Sequence, residues 1–585
     1  MDRTAWIVVA LCVIGLVLWE IYLAKRMALR PAPGGAASGQ VSPTSTPATL
    51  APSPSPTPVS EVTATSHEQV LTFPEKIETL RNSDVELRLT NRGGGIKEAV
   101  LLKQIAEKGQ RVILNSEQSA PIGAMVEQPS APTLLEFTAS TESDSAVKFE
   151  RTTPEQVAIR KKFFFEKSPE NKDNYVIEMD VDLENRGDKP YQSGSYFVAL
   201  GSAAPIHPRD YPSYTRLVWC TDGRAKGIDV GWFGSSSGFL GLGQRPARPY
   251  YQESIAGAEW VAVSNQFFTT LIAPLTAKAT AVWGRRFEIE YSPDQKLLAI
   301  EGALGMPGFE LQPGQTYAAR FEIYAGPKLY HRLAQLPHNE AEVMDFGMFK
   351  IVCQFLLNFM NLLHSWLHDY GLAILALTTI IKLTLWPIQN KANRSMRQMA
   401  ALSPKIQELR DKYKDDPTRM NQEVMKLYKQ YGINPVGGCL PMMIQIPIFF
   451  GLFKMLGQAV ELRNAKFLWV KDLSQPDTLF VIPGLGWIPI LGIPSLGLPV
   501  NIIPLCMAAT QIWLMAMTPK TGDPTQRRLA MFMPIVFLLF CYNFAAALAL
   551  YYTAQNLFSI LQFYQNKRQP MPTLEKIAPA GKRKR

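Results

Sequence analysis

"ILALTTIIKLTLWP", residues 374–387, is apolar at nearly every position, yet it carries Lys382 with no acidic neighbour in sequence. Extended to 370–389, the run is long enough to cross the hydrocarbon core of a bilayer as a helix. Lys382 then lies about 12 residues in from Tyr370, roughly 18 Å deep at ~1.5 Å per residue. Its four-carbon stem can carry the ammonium back to the nearer interface, so snorkelling is one reading. The other starts from Thr378, one turn earlier on the same face. Gln445, Gln511, Gln555 and Asn556 sit in other apolar segments. Polar side chains inside a membrane usually face a bundle interior or a wet cavity. Together with Lys382 and Thr378 they can line one hydrophilic pocket.

Four more apolar runs follow, at 436–459, 500–517, 529–545 and 547–565, the last two closely joined. The stretch 478–499 is also apolar. Pro483, Gly484, Gly486, Pro489, Gly492, Pro494, Gly497 and Pro499 break it, so we expect an interfacial or partly re-entrant loop there. Ahead of the first run, 346–368 has helical period. Lys350, Gln354, Asn358, Asn361 and Ser365 form a polar stripe on an otherwise apolar helix, which predicts a helix lying in the interface. An ordinary spanning helix with that stripe turned to its neighbours is the competing reading.

Charge orders these segments. Residues 390–435 hold ten Lys or Arg against five acids, and 567–585 hold seven against one. The positive-inside rule places both on the cytoplasmic side, with 518–528. Apolar positions at three and four spacing, from Met399 to Tyr413 and from Met420 to Tyr431, predict a helical hairpin within 390–433. Asp416-Pro417 starts its second helix and Gly432 ends it. Lys405, Arg410, Lys412, Lys426 and Lys429 on the hairpin, with Lys582, Arg583, Lys584 and Arg585 at the chain end, suit an anionic partner such as lipid headgroups or RNA. A solvated basic face is the competing reading.

The first half differs. Residues 1–26 read as an uncleaved anchor helix, and 27–61 as a tether, with eight prolines among 31–60. From 62 to 335 the period is two. "YVIEMDVDLE" (175–184) alternates apolar and acidic residues, and "VELRLT" (85–90) and "RFEIEY" (286–291) alternate likewise. This predicts a large antiparallel β domain, a sandwich. "NRGGG" (91–95) lacks phosphate-loop spacing and reads as a turn. If 346–368 does not cross, the β domain is external. The first helix then opposes its own flanking charges, Arg3 before it and Lys25, Arg26 and Arg30 after it. If 346–368 crosses, the β domain is internal. The charges alone leave both arrangements open, and the polar stripe and uncharged tether favour the external one.

The chain of 585 residues carries net charge +10, with 47% hydrophobic and 19% charged residues. No histidine lies beyond His368, and the six cysteines show no CxxC spacing. No acid lies within the five run cores. A carboxylate proton relay, an acidic selectivity ring, a metal site and a nucleophile–base pair all lack their residues. The fold expected is a polytopic α-helical membrane protein, five core helices plus an anchor, with a large all-β domain. No cofactor, small-molecule substrate or bond-making chemistry is expected.

"YGINPVGGCLPMMIQIPIFFGLFKML" (431–456) resembles the third membrane helix of the YidC/Oxa/Alb membrane protein insertases. "SPKIQELRDKY" and "RMNQEVMKLYKQYG" resemble their cytoplasmic hairpin, and "VELRNAKFLWVKDLS" (460–474) the segment after that helix. "DPTQRRLAMFMPIVF" and "LALYYTAQNLFSILQ" resemble their last two helices. "LTNRGGGIKEAVL" and "YAGPKLYHRL" resemble the periplasmic domain of the long bacterial members. The resemblance implies a bacterial inner-membrane insertase and chaperone with a periplasmic β-super-sandwich. Its core, 369–566, would form a hydrophilic groove open to cytoplasm and lipid. Nascent membrane proteins would be its clients, and the Sec translocon, the ribosome and membrane lipids its partners. The groove's usual arginine is matched here by Lys382, which keeps the charge and loses the planar fork. Ala545-Ala546-Ala547 replaces a Pro-Ser-Gly-like turn, and 478–499 is long for the family. A transporter or channel, and an envelope glycan-binding protein acting through the β domain, are the alternatives.

Overall fold

Alternation of period two becomes strand, and the described residues between 77 and 327 hold twenty strands. In Val176–Asn185 the apolar Ile177, Met179, Val181 and Leu183 are buried, and the acids between them are half-exposed. This strand lies near the middle of a nine-stranded sheet, with Val181 opposite Lys161 on one side and Ala319 on the other. A five-stranded sheet of Tyr251–Ala258, Ala279–Ser292, Gln295–Met306, Tyr196–Ala203 and Met125–Val126 covers it. The two faces close on small residues. A Cβ at Gly284 or Gly302 would stand 2.8 Å from the Leu217 side chain of the larger sheet. Trp260, Phe149, Phe163, Phe267, Phe268 and Phe321 are wholly buried in the β domain. Each such side chain stabilises by about 1.5–3 kcal/mol relative to exposure.

The "NRGGG" segment is a turn, between Val85–Thr90 and Gly95–Ile105 of a further four-stranded sheet. Gly93 and Gly94 take positive φ, +77° and +57°, which glycine adopts without steric cost. Their carbonyls, with that of Gly123, accept from the fully buried Lys161 Nζ at 2.9, 3.1 and 3.0 Å.

The computed structural model describes residues 73–568 apart from 117–118, 131, 133, 144, 166–173, 236–244, 293–294, 415, 434–439, 489–490, 494–496 and 519–523. The predicted anchor 1–26, the tether 27–61 and the end of the basic tail lie outside these residues. The described residues from 75 to 522 and from 531 onward form one compact unit.

Beyond the short helix Tyr330–Leu333, the described residues hold eight α-helices. They are α1 (Lys350–Leu367), α2 (Tyr370–Ala401), α3 (Ser403–Lys412), α4 (Pro417–Gln430), α5 (Leu440–Leu456), α6 (Ile502–Met517), α7 (Pro524–Cys541) and α8 (Ala546–Lys567). Among the described residues α2 alone is long and apolar enough to cross a membrane; Met443–Leu456, Ile502–Met517 and Met531–Cys541 are shorter apolar helices. The run predicted at 370–389 thus continues as helix into the segment read as hairpin. It breaks at Leu402 because Pro404 has no N–H to offer the Ala400 carbonyl. Asp416 caps α4 by accepting from the Arg419 amide at 2.9 Å. Leu402, Tyr431 and Ile433 form the small core between α3 and α4.

The segment 478–499 is not a featureless loop. Thr478–Ile482 pairs antiparallel with Leu498–Asn501, and glycine at φ +81° (Gly484) and +115° (Gly497) falls in the connection. The breakers forbid a helix but leave the ends free to pair, which composition alone does not reveal.

α1 presents three faces. Cys353, Leu356, Leu357, Met360 and Leu363 are buried against α2 and α5. Ile351, Phe355, Leu362 and Trp366 are exposed, and the polar stripe lies beside them. The β domain is joined to the helical part by direct bonds. Gln266 Nε2 donates to the Gly457 carbonyl at 2.8 Å, Arg209 Nη1 to Thr478 Oγ1 at 2.7 Å, and Gln475 Nε2 to Asp210 Oδ1 at 3.2 Å.

Candidate functional site

Helix α8 is the hub of the polar residues. Its Gln555, Ser559, Gln562 and Asn566 recur at four, three and four, so they share one stripe. Asn556 sits on the adjoining face. α8 packs against α2 and α6 and touches α5.

Lys382 on α2 is 5% exposed, and its Nζ donates to Ser559 Oγ at 2.8 Å. Ser559 Oγ in turn donates to the Gln555 carbonyl at 2.9 Å. Gln445 of α5 donates through Nε2 to Gln555 Oε1 at 3.2 Å. A connected run of polar groups therefore ties α2, α8 and α5 together. An ammonium has three donors. Among the described residues Ser559 supplies the one side-chain acceptor recorded for Lys382, and no carboxylate faces it.

The other predicted residues divide. Thr378 is fully buried, and its hydroxyl donates to the Ile374 carbonyl of its own helix at 2.7 Å. Asn556 turns to α6, donating to the Met507 carbonyl at 3.3 Å and to Thr510 Oγ1 at 3.1 Å. Gln511 is half-buried on α6, and among the described residues no hydrogen bond joins it to the others. The structure thus brings together Lys382, Gln445 and Gln555, places Asn556 on a neighbouring seam, and leaves Thr378 and Gln511 beside them.

The expected set omitted the lower half of the seam. Gln562 Nε2 donates to Asn390 Oδ1 at 2.8 Å, and Asn566 Nδ2 to the same oxygen at 3.2 Å. Arg397 Nη1 donates to the Asn566 carbonyl at 2.8 Å. Ser559, Gln562, Asn566 and Asn390 complete a polar ladder running from Lys382 toward the charged hairpin. The four-three-four spacing on α8 was the signal that could have found three of them.

Around this polar seam the helices are apolar outward. Ile380, Leu383, Phe450, Ile512, Val536 and Leu561 are all exposed. On the hairpin, Lys412, Lys426 and Lys429 are exposed, and Arg410 is half-buried. Lys426 pairs with Glu423 at 2.7 Å. Lys405 is exposed too, and its Nζ lies 2.5 Å from Tyr431 Oη and 4.7 Å from the ring centroid. Lys582, Arg583, Lys584 and Arg585 lie outside the described residues.

Comparison with known proteins covers both halves. The family described as "60Kd inner membrane protein" matches residues 362–572, and the one described as "YidC periplasmic domain" matches 78–359. A protein named "Membrane protein insertase YidC" from Syntrophobacter fumaroxidans is 39% identical over 309 residues, 52% of this chain and 53% of that one. One of the same name from Maridesulfovibrio salexigens is 31% identical over 409 residues, 68% and 67% of the two chains. The aligned part thus spans about half the length of the first relative and two thirds of the second. The solved structure described as an active YidC insertase with its first transmembrane domain resolved aligns with 85% of this chain and 95% of its own. It does so at 16% identity and a TM-score of 0.33, too low a score to carry an argument.

Proposed function

Because this chain belongs to the YidC family of membrane protein insertases, we propose that it inserts nascent membrane proteins through the polar seam centred on Lys382. The observation that carries this reading is Lys382 itself. It is a buried ammonium with one hydroxyl acceptor, in a seam of amides, wrapped by helices whose outer faces are apolar. Burying an unpaired charge is costly. A seam that admits water, or an acidic segment of a client, offsets that cost. The surrounding amides offer a polar stretch hydrogen bonds that lipid cannot. The apolar outer faces let the client's hydrophobic part move sideways into lipid.

In this reading α2, α5, α6, α7 and α8 form a five-helix core crossing the bacterial inner membrane. The hairpin α3–α4 lies in the cytoplasm, α1 in the interface, and the β domain in the periplasm. The apolar outer faces support the membrane placement, and the basic excess of 390–435 supports the orientation. The sequence holds no nucleotide-binding motif. The driving force would be burial of the client in lipid, at about 25 cal/mol per Å² of apolar surface. The membrane potential adds to it for acidic external tails. No bond is made or broken, so the protein would be a chaperone-like insertase and not an enzyme. Exposed Lys412, Lys426 and Lys429 would meet ribosomal RNA or anionic headgroups. Work alone or beside the Sec translocon fits the same groove.

The test is insertion of a small client with an acidic external tail into proteoliposomes, scored by protease protection. Lys382→Ala should lower insertion by about tenfold or more, the scale of a lost charge-assisted contact, while Lys382→Arg should retain most of it. Equal insertion by Lys382→Ala at equal protein level would show that the charge only snorkels.

A further inference from the structure

From Thr478 to Pro519 the sequence contains no Asp, Glu, Lys, Arg or His. The second part of this stretch is α6. The first part holds the two-stranded ribbon of Thr478–Ile482 and Leu498–Asn501, and that ribbon has no polar side. Successive strand residues point to opposite faces. The pairing is irregular between Thr478 and Phe480; from there Phe480 and Ile482 take one face and Val481 the other. Leu479, Phe480 and Ile482 are all exposed, and Trp487 in the connection is 74% exposed. A ribbon on a wet surface turns polar residues outward on one face. This one shows apolar residues on both.

A second projection stands close by in sequence. Phe467 and Val470 exchange backbone hydrogen bonds at 3.0 and 2.8 Å, closing a tight turn. The turn holds Leu468 at φ +53° and leaves its side chain 75% exposed. A leucine in the left-handed region is uncommon and costs energy. Trp469 beside it is also exposed.

Both projections are fixed to helix starts. The Phe467 ring lies against Gly371 in the first turn of α2, where an added Cβ would fall 2.1 Å from it. Asn501 leads directly into α6 and donates through Nδ2 to the Tyr542 carbonyl at 2.8 Å. Asp477 Oδ2 accepts from the Ile502 and Ile503 amides at 3.0 and 2.7 Å, and from Trp469 Nε1 at 3.2 Å. One carboxylate thus ties the ribbon base, the first turn of α6 and the second projection together.

We infer that the ribbon and the 467–470 turn are lipid anchors. They set Leu468, Trp469, Phe480, Ile482 and Trp487 into the headgroup–acyl boundary of the outer leaflet, beside the outer ends of α2 and α6. The inference rests on the membrane placement of the helical core proposed above. The occupant is phospholipid. The ribbon carries no charge to select a protein partner, the exposed Lys466 and Lys471 flanking the 467–470 turn suit anionic headgroups, tryptophan favours the membrane–water boundary, and the patch continues into the exposed Leu505, Ile512 and Trp513 of α6. Depth is limited by the backbone. A two-stranded ribbon has two open edges, whose unpaired N–H and C=O groups cannot enter hydrocarbon. At the boundary, water and headgroups satisfy them. Through the bond from Arg209 to Thr478, the anchor also holds the β domain at a set height.

The experiment places a photoreactive diazirine side chain, one position at a time, at Leu468, Phe480, Trp487, Ile512 and Leu275. The full-length protein is reconstituted in phosphatidylethanolamine–phosphatidylglycerol vesicles and irradiated, and adducts are read by mass. Phospholipid adducts are expected at 468, 480, 487 and 512, and none at Leu275, an exposed leucine of the β domain. Adducts at 512 with none at 468, 480 and 487 would overturn the anchor and leave the membrane core intact. Absence of lipid at 512 as well would overturn the membrane placement with it. Protein adducts in place of lipid at 480 and 487 would show a protein-docking surface and overturn the lipid assignment.

Discussion

Lys382 shows how much one residue can announce. An ammonium in an apolar run is visible in the sequence, because little else there competes with it. Its partner Ser559 was not, because a serine in a helix more often bonds its own backbone, as Ser559 also does. Glu340 makes the complementary case. It is fully buried, its Oε2 accepts from the His338 amide at 2.9 Å, and its Oε1 meets no donor. Burial pushes its carboxyl up to about 7, and the nearby Glu322 and Glu259 add to this. The folded state therefore holds a proton that the unfolded chain releases above about 4.5. Stability is favoured below that pH and declines as pH rises through 7. Glu340→Gln should raise the melting temperature at pH 8, by an increment worth up to about 3 kcal/mol. The gain should vanish near pH 4.5. A gain equal at both pH values, read by thermal scans of the full chain, would show that ionisation is not its cause.

At the scale of elements, strand and helix were legible wherever one period held. The acids of 175–184 alternate so regularly that burial follows residue by residue. Helix ends were less legible. α2 outran its apolar stretch, running on through Pro387 and ending only just ahead of Pro404. The ribbon at 478–501 was hidden because prolines and glycines mark where a helix fails without saying what replaces it. Gly371 is the position on which one contact between elements depends. Gly371→Ala would drive Cβ into the Phe467 ring. It should destabilise the start of α2 by about 1–3 kcal/mol, as overpacking does. Phe467→Leu should restore part of that loss in the double variant. Chemical denaturation of the purified variants measures both, and additive losses in place of rescue would refute the contact.

The whole molecule is held together where the β domain meets the helices. Arg463 is buried there, with its guanidinium 5.2 and 5.1 Å from the Phe267 and Phe268 rings and Nη2 3.2 Å from the Ile105 carbonyl. Arg463→Ala should uncouple the two parts, at a cost of about 2–3 kcal/mol for a lost charged hydrogen-bond set. Earlier proteolytic cleavage at the junction, with the β domain still folded, would show it; unchanged cleavage would sink it. Nothing in the sequence near 463 pointed to residues 105, 267 or 268, because such contacts join positions far apart in the chain. By itself the sequence determined what local periodicity and composition can carry. It specified an alternating β domain, a series of apolar helices, a basic hairpin and a lysine inside the apolar run 374–387, since each is written in neighbouring residues. Only the tertiary structure decided that Lys382 meets Ser559, that α8 carries a polar ladder, and that an uncharged ribbon stands at the head of α6. Those outcomes depend on which faces pack together. Packing is settled by shape and hydrogen-bond satisfaction across distant segments, which no local pattern encodes.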